Sequence, residues 1–179
     1  MKSCIDFYDD TAQKWADEWY DNNQMLPYFK KFLKYVNKKK PKILDLCCGA
    51  GYESMRLKKL GATVVGADLS EKSIQIAKEK NDDIHFYVKD ILESYADLGK
   101  FNGIVCIAGI VHIKREDLTL AFKNMHEVLE HNGYLLLVFK EGQQNKKTVI
   151  FNGEVYARNF INHTKEELNE YTLKVTLYL

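Results

Sequence analysis

Apolar positions along the chain follow two alternating periods. Lys42-Ile43-Leu44-Asp45-Leu46 is a short apolar run without helical spacing, followed by the small-residue stretch Cys47-Cys48-Gly49-Ala50-Gly51 and a helical pattern over Tyr52 to Leu60. A near-continuous apolar run bounded by turn residues is the mark of a buried parallel strand. The unit recurs. Thr63 to Ala67 predicts a second strand, and Ser70 then fits the N-cap of a helix running to about Lys80. Ile84 to Val88 predicts a third strand, with a short helix after it over Ile91 to Leu98. Gly103 to Ala108 predicts a fourth. The following helix, Arg115 to Glu130, carries Leu118, Phe122, Met125, Val128 and Leu129 on one face and stops at Asn132-Gly133. Tyr134 to Phe139 predicts the fifth strand.

The flanks read differently. Residues 3 to 38 are helical in pattern, with Phe7, Trp15, Trp19 and Tyr20 in a first helix and Phe29, Phe32, Leu33 and Val36 in a second, closed by Lys38-Lys39-Lys40-Pro41. No strand precedes Lys42, so both helices are expected outside the sheet as a cap. Beyond the fifth strand, Glu141 to Lys147 reads as a polar loop, and Val149 to Phe160 as an irregular hairpin turning at Asn152-Gly153. Thr164 and Glu167 form a capping box for a helix over Lys165 to Glu170, and Leu173 to Leu177 alternates as a strand.

Strands alternating with helices imply an α/β fold, a doubly wound, mostly parallel sheet with helices on both faces. Its expected organisation is one domain over 1–179: N-terminal capping helices (1–40), a ligand-binding core (41–140), and a substrate loop with the C-terminal sheet edge (141–179). Right-handed crossovers bring Asp45, Gly49, Gly51, Asp68, Asp90 and the segment after Ala108 to one rim, at the carboxyl ends of the strands, where such sheets bind ligands.

Composition narrows the partners. Twenty-six Lys and Arg against 25 Asp and Glu give a net charge of +1, which offers no electrostatic reason to expect nucleic acid or an anionic membrane. The N-terminal residues hold no apolar leader and no span reaches transmembrane length, so a cytoplasmic protein is expected. Cys47 and Cys48 are adjacent and Cys106 lies in an apolar run; neither a disulfide framework nor a metal site is indicated.

The turn fits a dinucleotide fingerprint poorly, because Cys47 and Ser54 stand where glycines belong. Asp45-Leu46-Cys47-Cys48-Gly49-Ala50-Gly51 instead resembles motif I of the class I S-adenosylmethionine-dependent methyltransferases. The resemblance continues through Asp68-Leu69-Ser70, Lys89-Asp90-Ile91, the fourth strand and the His126 to Leu137 run, covering about residues 40 to 140 in the family's order.

The resemblance implies a Rossmann-like methyltransferase with S-adenosyl-L-methionine as cofactor. The Cys47–Gly51 turn, with Cys48 and Gly49, would pass beside the methionine part. Asp45 would face its ammonium side, and Ile107 and Ala108 would offer carbonyls to it. Asp68 would accept from the two ribose hydroxyls, with Ser70 following. Leu69 would pack on adenine, and Lys89, Asp90 and Ile91 would flank it, Asp90 accepting from the amino group. His112, just past the fourth strand, is the candidate catalytic base; ordering the loop is its other reading.

Sequence features of base-specific, arginine-specific and metal-dependent members are missing after the fourth strand, so a small-molecule acceptor is expected. Its pocket would be walled by Tyr8, Trp15, Trp19 and Tyr20 from the N-terminal helices and by Tyr156, Arg158 and Phe160 from the segment after the fifth strand. Arg158 would pair either with an anionic acceptor or with a surface carboxylate. Two alternatives remain in view: a non-catalytic S-adenosylmethionine-binding module and a nicotinamide-dependent oxidoreductase. With a single strand after the last helix, the C-terminal sheet edge is expected to be incomplete or to be filled by Leu173–Leu177. The chain is expected to be a monomer or a homodimer.

Overall fold

α1 (Cys4–Trp19) and α2 (Leu26–Val36) lead into an alternation of β1 (Lys42–Leu46), α3 (Tyr52–Lys59), β2 (Thr63–Asp68), α4 (Glu71–Lys80), β3 (His85–Val88), β4 (Phe101–Ile107), α5 (Leu118–Val128) and β5 (Leu129–Val138). The chain continues through β6 (Asn145–Phe151), β7 (Glu154–Phe160), α6 (Lys165–Asn169) and β8 (Val175–Tyr178). The computed structural model describes residues 1–142, 145–171 and 175–178. The main sheet has the strand order β3-β2-β1-β4-β5-β8 with every pairing parallel, while β6 and β7 form a separate antiparallel pair.

The unbroken apolar runs follow from burial on both faces. Leu44, Leu46, Ile104, Cys106, Leu135 and Leu137 enter one core with α5 and α6. Ile43, Val105 and Leu136 enter the other with α2, α3 and α4. The second face corrects the expectation for the N-terminal helices. Only α1 is a cap. α2 lies flat on the sheet, because Phe29, Phe32 and Val36 form a fully apolar stripe that is buried there. Phe32 sits against Gly103 of β4 so closely that a Cβ at that position would come within 2.5 Å of its ring.

Other differences have local causes. The helix expected over Ile91–Leu98 is reduced to a 3-10 turn at Ala96–Leu98. Asp90 accepts from the Leu92 amide and Ser94 from the Ala96 amide, so side chains take backbone donors a helix would need. The helix expected to reach Glu130 stops at Val128, because Leu129 already pairs with Phe101. The chain bulges at Asn132 (φ 65°) and rejoins β4 at Tyr134, so the Asn132-Gly133 turn lies inside β5 rather than ahead of it. The hairpin is regular and begins at Asn145, earlier than the loop expectation allowed; Gln143 and Gln144 of that loop lie outside the described residues. Its two-residue turn has Asn152 and Gly153 both at positive φ, the type I′ geometry. Val175–Tyr178 pairs parallel with β5, so a strand does take the place beside it; Leu173 lies outside the described residues.

α1 is stitched over the carboxyl rim from two sides. The Lys2 amide donates to the Val155 carbonyl and the Ala157 amide donates to that of Lys2, while Tyr156 and Lys2 both reach Asp10. Opposite, Asp9 accepts from the Ser70 hydroxyl and the Lys72 amide at the start of α4.

Truncating Phe32 to alanine leaves a cavity between α2 and Gly103. We expect it to lower unfolding stability by about 3–5 kcal/mol in urea titrations. A loss below about 1 kcal/mol would mean α2 is not part of the core.

Candidate active site

Two residues other than glycine take left-handed backbone at the ends of neighbouring central strands: Cys47 (φ 57°) after β1 and Ala108 (φ 55°) after β4. Such conformations cost of order 1–3 kcal/mol each and persist where the surroundings enforce them. Here they turn both chains sharply away from the sheet and open a crevice between them. Gly109 is required at that crossing, since a Cβ would come within 2.5 Å of the Cys47 sulfur and 2.8 Å of the Cys106 sulfur. Gly51 (φ 81°) caps α3 and packs against Phe86 and Ala77, which would leave a Cβ 2.8 Å from the Phe86 ring.

The crevice opens into a cavity of about 720 Å³ under α1. One end is acidic. Asp45 is 2% exposed and accepts from the Ser54 hydroxyl at 2.6 Å. Burial pushes its carboxyl up to about 7, and the Ser54 hydrogen bond only partly opposes this. Asp68 is held from both sides, by the Gly49 amide on Oδ2 and the Ser70 amide on Oδ1, each at 2.9 Å. Burial raises its pKa while those amides favour the ionised form. Asp90 is the third acid of this rim; Lys89, beside it, pairs with Asp97 at 2.8 Å. Leu69, 37% exposed, and the buried Ile91 supply apolar surface there, and Ile107, Ala108, Cys47, Cys48 and Gly49 line the floor.

The other end is aromatic and cationic. Arg158 of β7 donates to the Tyr8 hydroxyl of α1 through Nη2 (2.8 Å) and Nε (3.3 Å), and that hydroxyl lies 2.8 Å from His112 Nε2. Burial pushes the Tyr8 phenol up to about 12, so it keeps its proton at neutral pH. The direction of the Tyr8–His112 bond is set by the imidazole tautomer: with the ring proton on Nδ1, the phenol donates to Nε2. Nδ1 faces the Cys4 sulfur at 3.9 Å. Phe160 packs on the imidazole, with ring centres 5.1 Å apart. Trp19 stacks on Tyr52, and Trp15 also lines the space.

Five residues expected at the site do not line it: Gly51, which packs against Phe86 and Ala77, Phe160, which packs on His112, and three that fasten α1 instead. The Tyr20 hydroxyl is spent on the Ala50 carbonyl and the Asn81 amide, tying the end of α1 to the glycine turn and α4. Tyr156 is 1% exposed and its hydroxyl donates to Asp10. Ser70 is buried as the N-cap of α4 and as donor to Asp9. All three hold α1 in place. Conversely, Cys4, Tyr52 and Tyr95 line the cavity without having been singled out. Tyr52 is the first residue of α3, directly after the glycine turn, and that position was the available signal. Behind it the buried Arg56 pairs with Glu53 at 3.2 Å and donates to the Trp19 and Tyr20 carbonyls, so the end of α1 rests on α3.

The geometry has clear counterparts. A family profile described as a methyltransferase domain matches residues 43–133, just over half the chain. YqeM of Bacillus subtilis, named as a methyltransferase, is 34% identical over 111 residues, 59% of this chain and 45% of that one. A ubiquinone biosynthesis O-methyltransferase of Coxiella burnetii is 29% identical over 167 residues, 86% and 68% of the two chains. The chain spans 45%, 54% and 60% of the length of three of the curated relatives it matches. A crystal structure of an S-adenosylmethionine-dependent methyltransferase from Clostridium acetobutylicum shares the fold with a TM-score of 0.71 at 16% identity, over 92% of this chain and 85% of that one. The profile matches more than half of the chain, so the chain belongs to the methyltransferase-domain family, and it has the class I S-adenosylmethionine-dependent methyltransferase fold.

Proposed function

We propose that this protein transfers a methyl group from S-adenosyl-L-methionine to a small-molecule acceptor by in-line displacement. The observation that carries the reading is the division of one cavity into an acidic end at the strand termini and an aromatic, basic end under α1. The residues of the acidic end fit the cofactor. Asp68 presents a carboxylate with two acceptor oxygens at the end of β2, which suits a cis-diol. Asp45 is a buried carboxyl with the acids Glu53 and Asp68 as its charged neighbours, which suits an ammonium group. Leu69 and Ile91 offer apolar surface for a base.

When bound, the cofactor supplies an electrophilic methyl group on a sulfonium that leaves as a neutral sulfide. The protein's task is then alignment and exclusion of water. α1, fixed by Asp9, Asp10 and Arg56, roofs the cavity and excludes solvent. Tyr8 and His112 serve acceptors that lose a proton: a proton reaching the Tyr8 oxygen moves the phenolic proton on to His112 Nε2. The acceptor is a small molecule because α1 and the hairpin enclose this end, and the resemblance to an O-methyltransferase of ubiquinone biosynthesis supports that reading.

S-adenosylhomocysteine should bind with micromolar affinity in calorimetry, about −8 kcal/mol, and Asp68→Ala should weaken it by about two orders of magnitude. Unaltered affinity in that variant would remove Asp68 from the site. Binding should also release a proton. A cationic group beside Asp45 favours the carboxylate and pulls its pKa below about 7, so roughly half a proton leaves at pH 7 and affinity rises with pH through neutrality. Calorimetry in buffers of differing ionisation enthalpy measures the release, and Asp45→Asn should abolish it. For an acceptor that must be deprotonated, His112→Ala should lower kcat about 10²-fold or more while leaving S-adenosylhomocysteine affinity within about twofold. Equal losses in both would assign His112 to holding the pocket.

A further inference from the structure

Arg158 is the one feature of the cavity that methyl transfer by itself does not explain. It is a half-buried cation carried on β7, outside the parallel sheet, and brought into the acceptor end of the cavity. Its guanidinium lies 4.8 Å from the Phe7 ring centre and 4.5 Å from that of Phe160, with Tyr8 and Trp15 at 5.2 and 5.9 Å. Aromatic rings stabilise a cation at modest strength but do not neutralise it. Among the described residues no carboxylate forms an ion pair with Arg158; the pairs that exist are made by Lys2, Arg56, Lys58, Lys89, Lys114, Arg115 and His163. The surface-carboxylate alternative for this residue is therefore not realised. Its hydrogen bonds go to a neutral hydroxyl, that of Tyr8, through Nη2 and Nε. A guanidinium has five N–H donors, so donors remain.

Lys89 stands beside Asp90, and Glu53, Lys114 and Asp117 also line the cavity, but its two ends differ in chemistry. Asp45, Asp68 and Asp90 stand at the strand ends, whereas Tyr8, His112 and Arg158 stand under α1. A half-buried, uncompensated guanidinium among aromatic rings is costly to keep unless it meets an anion there, and its planar fork matches an oxyanion.

We propose that the methyl acceptor is an aromatic or similarly apolar molecule bearing an oxyanion, a carboxylate or a phosphoryl-type group, which Arg158 binds so that the accepting atom faces Tyr8 and His112. The inference rests on the methyltransferase reading of the same cavity. Arg158 is in this sense a specificity-determining residue. Its bond to Tyr8 gives it a second effect, since docking the anion also fixes the hydroxyl that meets the acceptor.

The test uses the full chain saturated with S-adenosylhomocysteine and follows its thermal unfolding and calorimetric titration with matched probes: phenylacetate, phenylphosphonate and the neutral phenylacetamide. Either anion, and not the amide, should raise the melting temperature, and whichever binds more tightly identifies the preferred headgroup. Arg158→Gln should weaken that anion about tenfold or more while keeping S-adenosylhomocysteine affinity. Arg158→Lys, which keeps the charge and loses the fork, should fall between. The proposal is overturned if the amide binds as well as the anions, if no anion binds, or if Arg158→Gln binds the anions unchanged. Loss of S-adenosylhomocysteine binding by the wild-type protein would instead bring down the cofactor reading. A variant that melts lower but keeps the anion preference would reduce Arg158 to a clasp between β7 and α1.

Discussion

The Asp68 carboxylate, gripped by the amides of Gly49 and Ser70, is the interaction on which the rest of the site depends. One oxygen fixes the turn after β1 to the end of β2, and the other fixes the start of α4. Ser70, the cap of α4, then receives α1 through Asp9. The floor of the cavity and its roof are thus joined through one carboxylate by consecutive hydrogen bonds. The group proposed to meet a ribose is also the group that positions the turn beneath it. A half-buried carboxylate is tolerated there because the amides of Ser70, Gly49 and Leu69 favour its ionised form against the desolvation that opposes it.

The strain at the rim has the same logic. Cys47 and Ala108 hold left-handed backbone on adjacent strands, and Gly109 allows the two turns to come within contact of the Cys47 and Cys106 sulfurs. The hydrogen bond to Cys106, with burial, pushes the Cys47 thiol well up, so it stays a neutral packing group. The dense floor is supported from below by Phe86, whose ring fills the space left by Gly51 and Gly66. Tight packing here leaves the cavity as the place where shape is free to vary.

What the sequence discloses and what it hides divide along contact distance. β1, β2 and their turn are readable because a strand buried on both faces must be apolar throughout and its turn must be small. The caps at Ser70 and Thr164 are readable because a capping bond spans three residues. The end of α5 is not, because whether Leu129 extends a helix or joins β5 is decided by Phe101, a residue of another strand. The two N-terminal helices look alike as aromatic-rich segments. Burial separates them: α2 buries Phe29 and Phe32 against the sheet, while α1 carries Tyr8, Trp15 and Trp19 along the cavity. Tyr20 and Tyr156 carry the same ring as Tyr8, and only their partners, Ala50 with Asn81 and Asp10, reveal that they are fasteners.

The acceptor end is assembled from segments far apart in the chain, and its stability is correspondingly shared. Tyr8 comes from α1, His112 from the turn after β4 and Arg158 from β7, with the last two more than 40 residues apart and both meeting Tyr8 and Phe160. None of these elements reaches the others without the stitching of Lys2 along β7 and of Ile161 to Val111. The parallel sheet needs neither of those contacts for its own cores, since both are closed by helices α2 to α6. The hairpin and α1 therefore form a unit whose contacts are directed at the cavity and at each other. The cofactor end is set by backbone geometry of the sheet. The end proposed for the acceptor is set by side chains on elements outside the parallel sheet, so its chemistry can change with few substitutions while the sheet beneath it stays as it is.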